Sequence, residues 1–325
     1  MTSPQLVWLR RDLRLADQPA LSAAAERGPV VPIYVLDDER PGDRKFGGAH
    51  RWWLHHSLES LAADLDERGS RLILRQGDCV DILAAMAREL GAGAVHALRH
   101  YEHWWRTAEV ALAEALPEHC ELVLHDGNYL LPPGAVTTAG GTPFKIYTPF
   151  AKALIAKLPP RDPLPEPDRL EAPGEWPDSD ALDGFALLPT KPDWAGGFAE
   201  FWQVGEAAAH ARLASFEEEL SDYDETRNLP SIDGSSRLSP HLHWGEISPA
   251  QVWHAYKGRR GKGWATFERE LVWRDFTQEL IAQFPQYPEA SYRDQFTRFQ
   301  WRDPETDDGA KADLKAWQQG RTGYP

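Results

Sequence analysis

The chain has 325 residues and a mass of 36.6 kDa, with 42% hydrophobic and 26% charged residues, the balance of a globular protein and not of a disordered one. The 35 Lys and Arg against 50 Asp and Glu give a net charge of −15, which as a whole argues against a nucleic-acid binder. No run of about 18 apolar residues is present, the N-terminus lacks a signal-peptide pattern, and the two cysteines, Cys79 and Cys120, form no CxxC, so a transmembrane helix, a secretory signal, a disulfide scaffold and a cysteine zinc site are not expected and a reducing cytoplasm is.

The first 125 residues alternate short apolar runs with Ala-, Leu- and Glu-rich stretches. Strands are predicted at residues 6–9, 30–36, 71–74, 94–98 and 121–124, with helices near 18–27, 48–68, 80–91 and 103–116. That alternation predicts an α/β fold with a doubly wound parallel five-stranded sheet, which binds ligands at the carboxyl ends of its strands. The loop after the first strand reads Arg10, Arg11, Asp12, Leu13, Arg14, so a glycine-rich dinucleotide loop is absent and a bare nucleotide-binding protein is disfavoured.

Residues 131–200 are crowded with proline, among them Pro132, Pro133, Pro159, Pro160, Pro163, Pro165, Pro167, Pro173 and Pro177. They read as a long connector with a helix near 147–157. From about residue 201 the pattern is all-helical: Ala207, Leu213, Phe216 and Leu220 share a helix, Ser248-Pro249 opens another, and 267–284 form a third. Three units are therefore expected, at 1–130, 131–200 and 201–325. The negative charge is concentrated before residue 221; residues 221–325 carry 14 Lys and Arg against 16 Asp and Glu, which leaves room for a locally basic face.

Chemistry is suggested at two places. Gly234, Ser235, Ser236 and Ser239 offer amide and hydroxyl donors at a helix start, suited either to a phosphate or to a simple helix cap. Phe267, Glu270, Trp273 and Arg274 recur at three- and four-residue spacing on one helix face, suited either to gripping a flat polar ligand or to a salt-bridged surface. His96, His100 and His103, and His241 with His243, have ligand-like spacing but no accompanying carboxylate-rich helix; ordinary polar histidines and no metal are expected. The basic run Lys257, Arg259, Arg260, Lys262 is a solvated loop or a phosphate contact, and no P-loop or Ser-His-Asp pattern is present. Fourteen tryptophans point to core packing, to stacking or to electron transfer.

At these segments the sequence resembles the photolyase/cryptochrome flavoprotein family, and within it the bacterial photolyases that act on cyclobutane pyrimidine dimers. Residues 6–17 (LVWLRRDLRLAD), 234–248 (GSSRLSPHLHWGEIS), 270–276 (ELVWRDF) and 317–325 (WQQGRTGYP) carry the resemblance, which spans the chain. It implies an N-terminal antenna-pigment domain followed by a helical FAD-binding domain that continues in family members beyond the last motif, so that half the flavin pocket is expected outside this sequence. Tyr223, Ser235, Ser236, Arg237, Leu238 and Ser239 would hold FAD, the last five around its pyrophosphate. Phe267 stands where many relatives have a flavin-contacting Trp. Glu270 would hydrogen-bond the damaged bases and Trp273 would pack on the dimer, the two forming the catalytic pair. Arg274 would lie between flavin and DNA, Arg227 would meet the DNA backbone, and Trp301 would be the surface end of a tryptophan electron-transfer chain.

The implied activity is light-dependent repair of pyrimidine dimers by electron transfer from excited reduced FAD. The resemblance further implies a cytoplasmic monomer with DNA as partner and a folate or 8-hydroxy-5-deazaflavin antenna. The alternatives are a cryptochrome-like blue-light sensor and an inactive fragment lacking half the flavin pocket.

Overall fold

The computed structural model describes residues 2–287 and 289–324 and divides into two compact units, 1–283 and 284–325. The first unit begins with β1 (Gln5–Leu9), α1 (Pro19–Ala25), β2 (Val30–Leu36), α2 (Gly48–Glu67), β3 (Ile73–Gln76), α3 (Cys79–Leu90), β4 (Ala94–Leu98), α4 (His103–Ala115) and β5 (Glu121–His125). All strand pairs are parallel and the order is β3-β2-β1-β4-β5, the expected doubly wound sheet.

The continuous apolar runs of β1 and β2 are explained by helices on both faces. With side chains alternating across the sheet, Val7, Leu9, Tyr34 and Leu36 pack with Ala20, Leu21 and Ala24 of α1 and Leu54, Leu58 and Leu61 of α2. Leu6, Trp8, Ile33 and Val35 pack with Val80, Leu83 and Ala87 of α3 and Trp105, Ala108 and Leu112 of α4. Helix α3 shows how sequence sets an element's ends. The Asp78 side chain caps the Val80 and Asp81 N–H groups, and Gly91 closes the helix in the left-handed conformation (φ 60°).

The third strand lies two residues later than residues 71–74. Its pairing runs from Ile33↔Ile73 to Leu36↔Gln76, and Leu72 falls before it and is buried with the α2 side chains. An apolar run reports burial, whereas pairing register is fixed by the neighbouring strand.

The proline-rich connector is anchored along the sheet by backbone bonds. Val30 N–H donates to Glu171 O (2.9 Å) and Asp180 N–H to Leu74 O (2.8 Å), while Leu170, Phe185 and Leu187 enter the core. It contains α5 (Tyr147–Ile155), at the place expected, and α6 (Phe198–Phe201). Then follow α7 (Glu206–Phe216), α8 (Tyr223–Thr226), α9 (Ser239–Trp244), α10 (Pro249–Ala255) and α11 (Lys262–Gln283). Helix α7 stops at Phe216, and Leu220 belongs to a separate 3-10 turn. Helix α11 starts five residues before Phe267, taking in Lys262 of the basic run.

Buried polar contacts lock the helices of this unit to the sheet. The Glu206 carboxylate accepts from the N–H groups of Leu15 (2.6 Å) and Ala16 (2.9 Å). The buried Arg14 guanidinium donates to the carbonyls of Asp17, Gly127 and Gly245 and to Asn128 Oδ1. Gly263 is required at the start of α11, because a Cβ there would lie 1.9 Å from the Leu220 carbonyl oxygen. The second unit holds a 3-10 turn (Asp294–Arg298) and α12 (Asp308–Gln318), whose Asp307 caps the Ala310 N–H.

Candidate active site

A cavity of about 660 Å3 in the first unit is walled by two sets of residues. Arg11 follows β1, His100 and Glu102 follow β4, and Asn128 and Tyr129 follow β5. All stand at carboxyl ends of strands, and the β1/β4 boundary is where the winding reverses, the place where open parallel sheets bind ligands. The facing wall comes from the helices: Tyr223 and Arg227 around α8, Ser236, Ser239, Leu242 and His243 at α9, and Phe267, Glu270, Leu271, Trp273, Arg274, Thr277, Gln278 and Ile281 on α11.

Helix α11 presents its residues as the three- and four-residue spacing predicts. Phe267 is buried in an aromatic group with Phe216 (5.0 Å), Tyr223 (5.5 Å) and Tyr256 (6.0 Å). Glu270 forms an ion pair with Arg227, whose guanidinium also lies 5.3 Å from the Tyr223 ring. This hydrogen bond raises the Arg227 pKa. Glu270 therefore bridges to Arg227, the residue after α8, and does not form a salt bridge within its own helix. Arg274 donates to the carbonyls of Asn128 and Leu242 (3.2 Å to the latter) and lies 4.6 Å from the Tyr129 ring. Both faces of the cavity are thereby tied through one cation.

The wall beneath is polar and incompletely paired. Arg11 and Glu102 form an ion pair across the switch point. Burial pushes the Glu102 carboxyl up, but the Arg11 charge and hydrogen bond, a backbone hydrogen bond and the Arg10 charge together outweigh it and hold the pKa below the usual value. Burial and the nearby arginines push His243 down to about 3 and His100 well below its ordinary value, so both imidazoles are neutral. His100 Nδ1, Glu102 Oε2, His243 Nε2 and Gln278 Nε2 are buried without a hydrogen-bond partner. Such atoms normally find one, so this end of the cavity is equipped to receive polar groups. Asp275, behind the wall, accepts from Leu131 N–H (3.1 Å), and burial raises its pKa to about 7.

The cavity thus brings together Tyr223, Arg227, Ser236, Ser239, Phe267, Glu270, Trp273 and Arg274. Ser235, Arg237 and Leu238 do not line it. The Ser235 carbonyl accepts from Arg212 (2.7 Å), and Leu238 is buried. Arg237, at φ 52°, pairs with Asp233 (2.9 Å) and lines another cavity with Arg212 and His241. The serines do not cap α9, whose N-cap is Leu238 without a side-chain bond; Ser236 Oγ accepts from Leu238 N–H at 3.4 Å. Trp301 belongs to the second unit, where it is 70% exposed and packs on Phe299.

Helical spacing does not single out Arg11, Glu102, Asn128 and Tyr129 as site residues. Arg11 sat in the unusual loop after β1, which was a usable signal. Of the histidines with ligand-like spacing, His100 and His243 line the cavity. His96 instead contacts His125 (3.0 Å) and Gln5 (3.2 Å), and His241 contacts Glu246 (2.5 Å). Among the described residues, the group of three or more His, Cys, Asp or Glu side chains whose ligand atoms all lie within 4.8 Å of one another is His55, His56 and Glu59 on α2.

Residues 5–168 match the DNA photolyase family model, and residues 267–325 match the FAD binding domain of DNA photolyase. The deoxyribodipyrimidine photo-lyase of Agrobacterium fabrum is 41% identical over 331 residues, covering 100% of this chain and 67% of the relative. A deoxyribodipyrimidine photo-lyase of Thermus thermophilus is 35% identical, covering 99% and 69%. The crystal structure of a bacterial class III photolyase from Agrobacterium tumefaciens superimposes with a TM-score of 0.91 at 41% identity, over 100% of this chain and 67% of that one. No helix among the described residues is long and apolar enough to cross a membrane. The sheet with its switch-point cavity, the α11 face and these matches lead to one conclusion: the chain belongs to the DNA photolyase family.

Proposed function

We propose that this protein is a deoxyribodipyrimidine photo-lyase, which repairs cyclobutane pyrimidine dimers in DNA under blue light with FAD as its cofactor. The observation that carries the reading is the α11 face, where Phe267, Glu270, Trp273 and Arg274 open into one cavity with Tyr223, Ser236 and Ser239.

The lining suits a flavin nucleotide. Tyr223 and Phe267 offer aromatic surface, the Ser236 and Ser239 hydroxyls suit phosphate oxygens, and Arg227 and Arg274 supply positive charge. The volume of about 660 Å3 is in the range of cofactor sites. Ser235, Arg237 and Leu238 are assigned to the pyrophosphate surroundings through the shape of their loop, since they do not line the cavity themselves. When bound, reduced FAD supplies the light-driven electron that opens the cyclobutane ring and recovers it afterwards.

The chain's own residues do the positioning. Glu270, oriented by Arg227, hydrogen-bonds the damaged bases. Trp273 packs its ring on them, and Arg274, fixed by two carbonyls, stands between lesion and cofactor. Arg227 holds a DNA phosphate. Extruding a dimer from the duplex is less costly than extruding sound bases, because the lesion is already poorly stacked. Trp301 is assigned to the surface end of an electron-transfer chain.

The α/β part is assigned an antenna pigment, a folate or an 8-hydroxy-5-deazaflavin, which chromatography of the extracted pigment distinguishes. The protein is read as a cytoplasmic monomer, in keeping with its two free, buried cysteines.

The test is to incubate the protein with FAD, desalt it, record the visible spectrum, and titrate it with dimer-containing and intact oligonucleotides. A structured flavin band with preference for the damaged strand is expected. A colourless protein without that preference contradicts the proposal.

A further inference from the structure

We infer that Tyr147 is a positioning residue for lesion recognition, holding the Trp273 indole in its working orientation. The inference rests on the reading of Trp273 as the ring that meets the dimer.

The Tyr147 and Trp273 rings lie face to face, with centroids 3.5 Å apart and planes 2° from parallel. The surrounding aromatic contacts are of another kind. Phe276 meets Tyr147 at 5.7 Å and 73°, meets Trp273 at 5.7 Å and 74°, and meets Phe150 at 5.3 Å and 51°. These edge and tilted contacts are what a core settles into, since the ring quadrupoles disfavour a direct sandwich. A parallel stack at the surface therefore calls for something that holds both rings.

Two features do so. Tyr147 is the first residue of α5, which docks on α11 through Phe150 and Phe276. Its hydroxyl donates to the Arg269 carbonyl at 3.1 Å, four residues before Trp273 on α11. The phenol is thus fixed at both ends to the helix that carries the indole. Trp273 itself is 41% exposed and lines the cavity beside Glu270. Left alone, so exposed an indole would sample several rotamers, and fixing one on binding costs affinity. With one face covered by Tyr147, the rotamer is set beforehand and the rest of the ring is left to the ligand.

The inference is tested with Tyr147→Ala and Tyr147→Phe in two measurements. In protein labelled with 5-fluorotryptophan, the Trp273 19F resonance, assigned by its loss in Trp273→Phe, is expected to shift or broaden in Tyr147→Ala and to stay near its original position in Tyr147→Phe. In binding assays, Tyr147→Ala should weaken the dimer-containing oligonucleotide by about three- to tenfold, the range of one aromatic pair. Intact DNA should be unaffected and Tyr147→Phe should recover most of the loss. In a Trp273→Ala background, Tyr147→Ala should add nothing further.

An unmoved 19F resonance in Tyr147→Ala overturns the inference whatever the DNA result. So does binding that is unchanged or tighter in Tyr147→Ala, or an equal loss in the Trp273→Ala background. Failure of the wild type to distinguish damaged from intact DNA instead overturns the reading of Trp273, and is told apart because no variant is involved.

Discussion

Arg227, just past the end of α8, reaches across the cavity wall to the carboxylate of Glu270 on α11, and the pair joins two segments 43 residues apart. The pair is partly exposed, so its worth as a stabilising contact is small. Its geometric effect is larger, since it fixes where the carboxylate points.

Glu270→Ala is expected to lower the rate of dimer repair by at least about tenfold, the scale for losing one group aimed at a reacting site. The flavin band should survive, because the aromatic wall of Phe267, Tyr223, Phe216 and Tyr256 is separate from the carboxylate. Spectra and repair rates on the same preparation check this; loss of flavin would mean that the α11 face is wrongly assigned.

DNA binding should weaken steeply with salt despite the net charge of −15, because the phosphate contacts are local. Arg227→Ala should reduce the slope of log affinity against log salt by about one, as expected for one phosphate contact. An unchanged slope would remove Arg227 from the DNA interface.

Asp275 gives a pH signature. Its folded pKa is raised to about 7 by burial, against an ordinary value of 3.8. Between those values the folded state holds a proton that the unfolded state has released, so this group's contribution to stability is greatest at acid pH and falls as pH rises towards 7. Asp275→Asn keeps an oxygen for the Leu131 N–H and removes the titration. His243, pushed down to about 3, works in the opposite sense and lowers stability as pH falls below 6.5. Melting curves from pH 4 to 8 should show that Asp275→Asn gains most over the wild type at pH 7 and above; a constant gap would contradict the assignment.

Gly263→Ala should destabilise the protein by about 1–3 kcal/mol or more through overpacking, since a Cβ would meet the Leu220 carbonyl at 1.9 Å. Because Gly263 sets the start of α11, a fall in melting temperature should be accompanied by weaker flavin retention. A melting temperature equal to the wild type would show that the helix is not pinned there.

Much of the fold was legible because its signals are local. The buried run Val30–Leu36 and the prolines of the connector each act within a few residues. Strand β3 was displaced by two residues because its register answers to β2 and not to its own apolar run. The same division holds at the site. The α11 face could be read from helical spacing, whereas Arg11, Glu102, Asn128 and Tyr129 come to the cavity from loops after three different strands. Their convergence depends on the order β3-β2-β1-β4-β5, which no local pattern encodes. Ser235, Arg237 and Leu238 show the reverse: the segment is at the site, but the Ser235 carbonyl is taken up by Arg212, the Arg237 side chain pairs with Asp233, and Leu238 is buried.

The central claim is that this cavity serves light-driven dimer repair. The most direct measurement counts the dimers remaining in an oligonucleotide incubated with the FAD-loaded, reduced protein under blue light and in darkness. The account predicts loss of dimers in the light alone, abolished or strongly slowed in Glu270→Ala. Persistence of dimers under illumination, with flavin bound and damaged DNA in the complex, would contradict it.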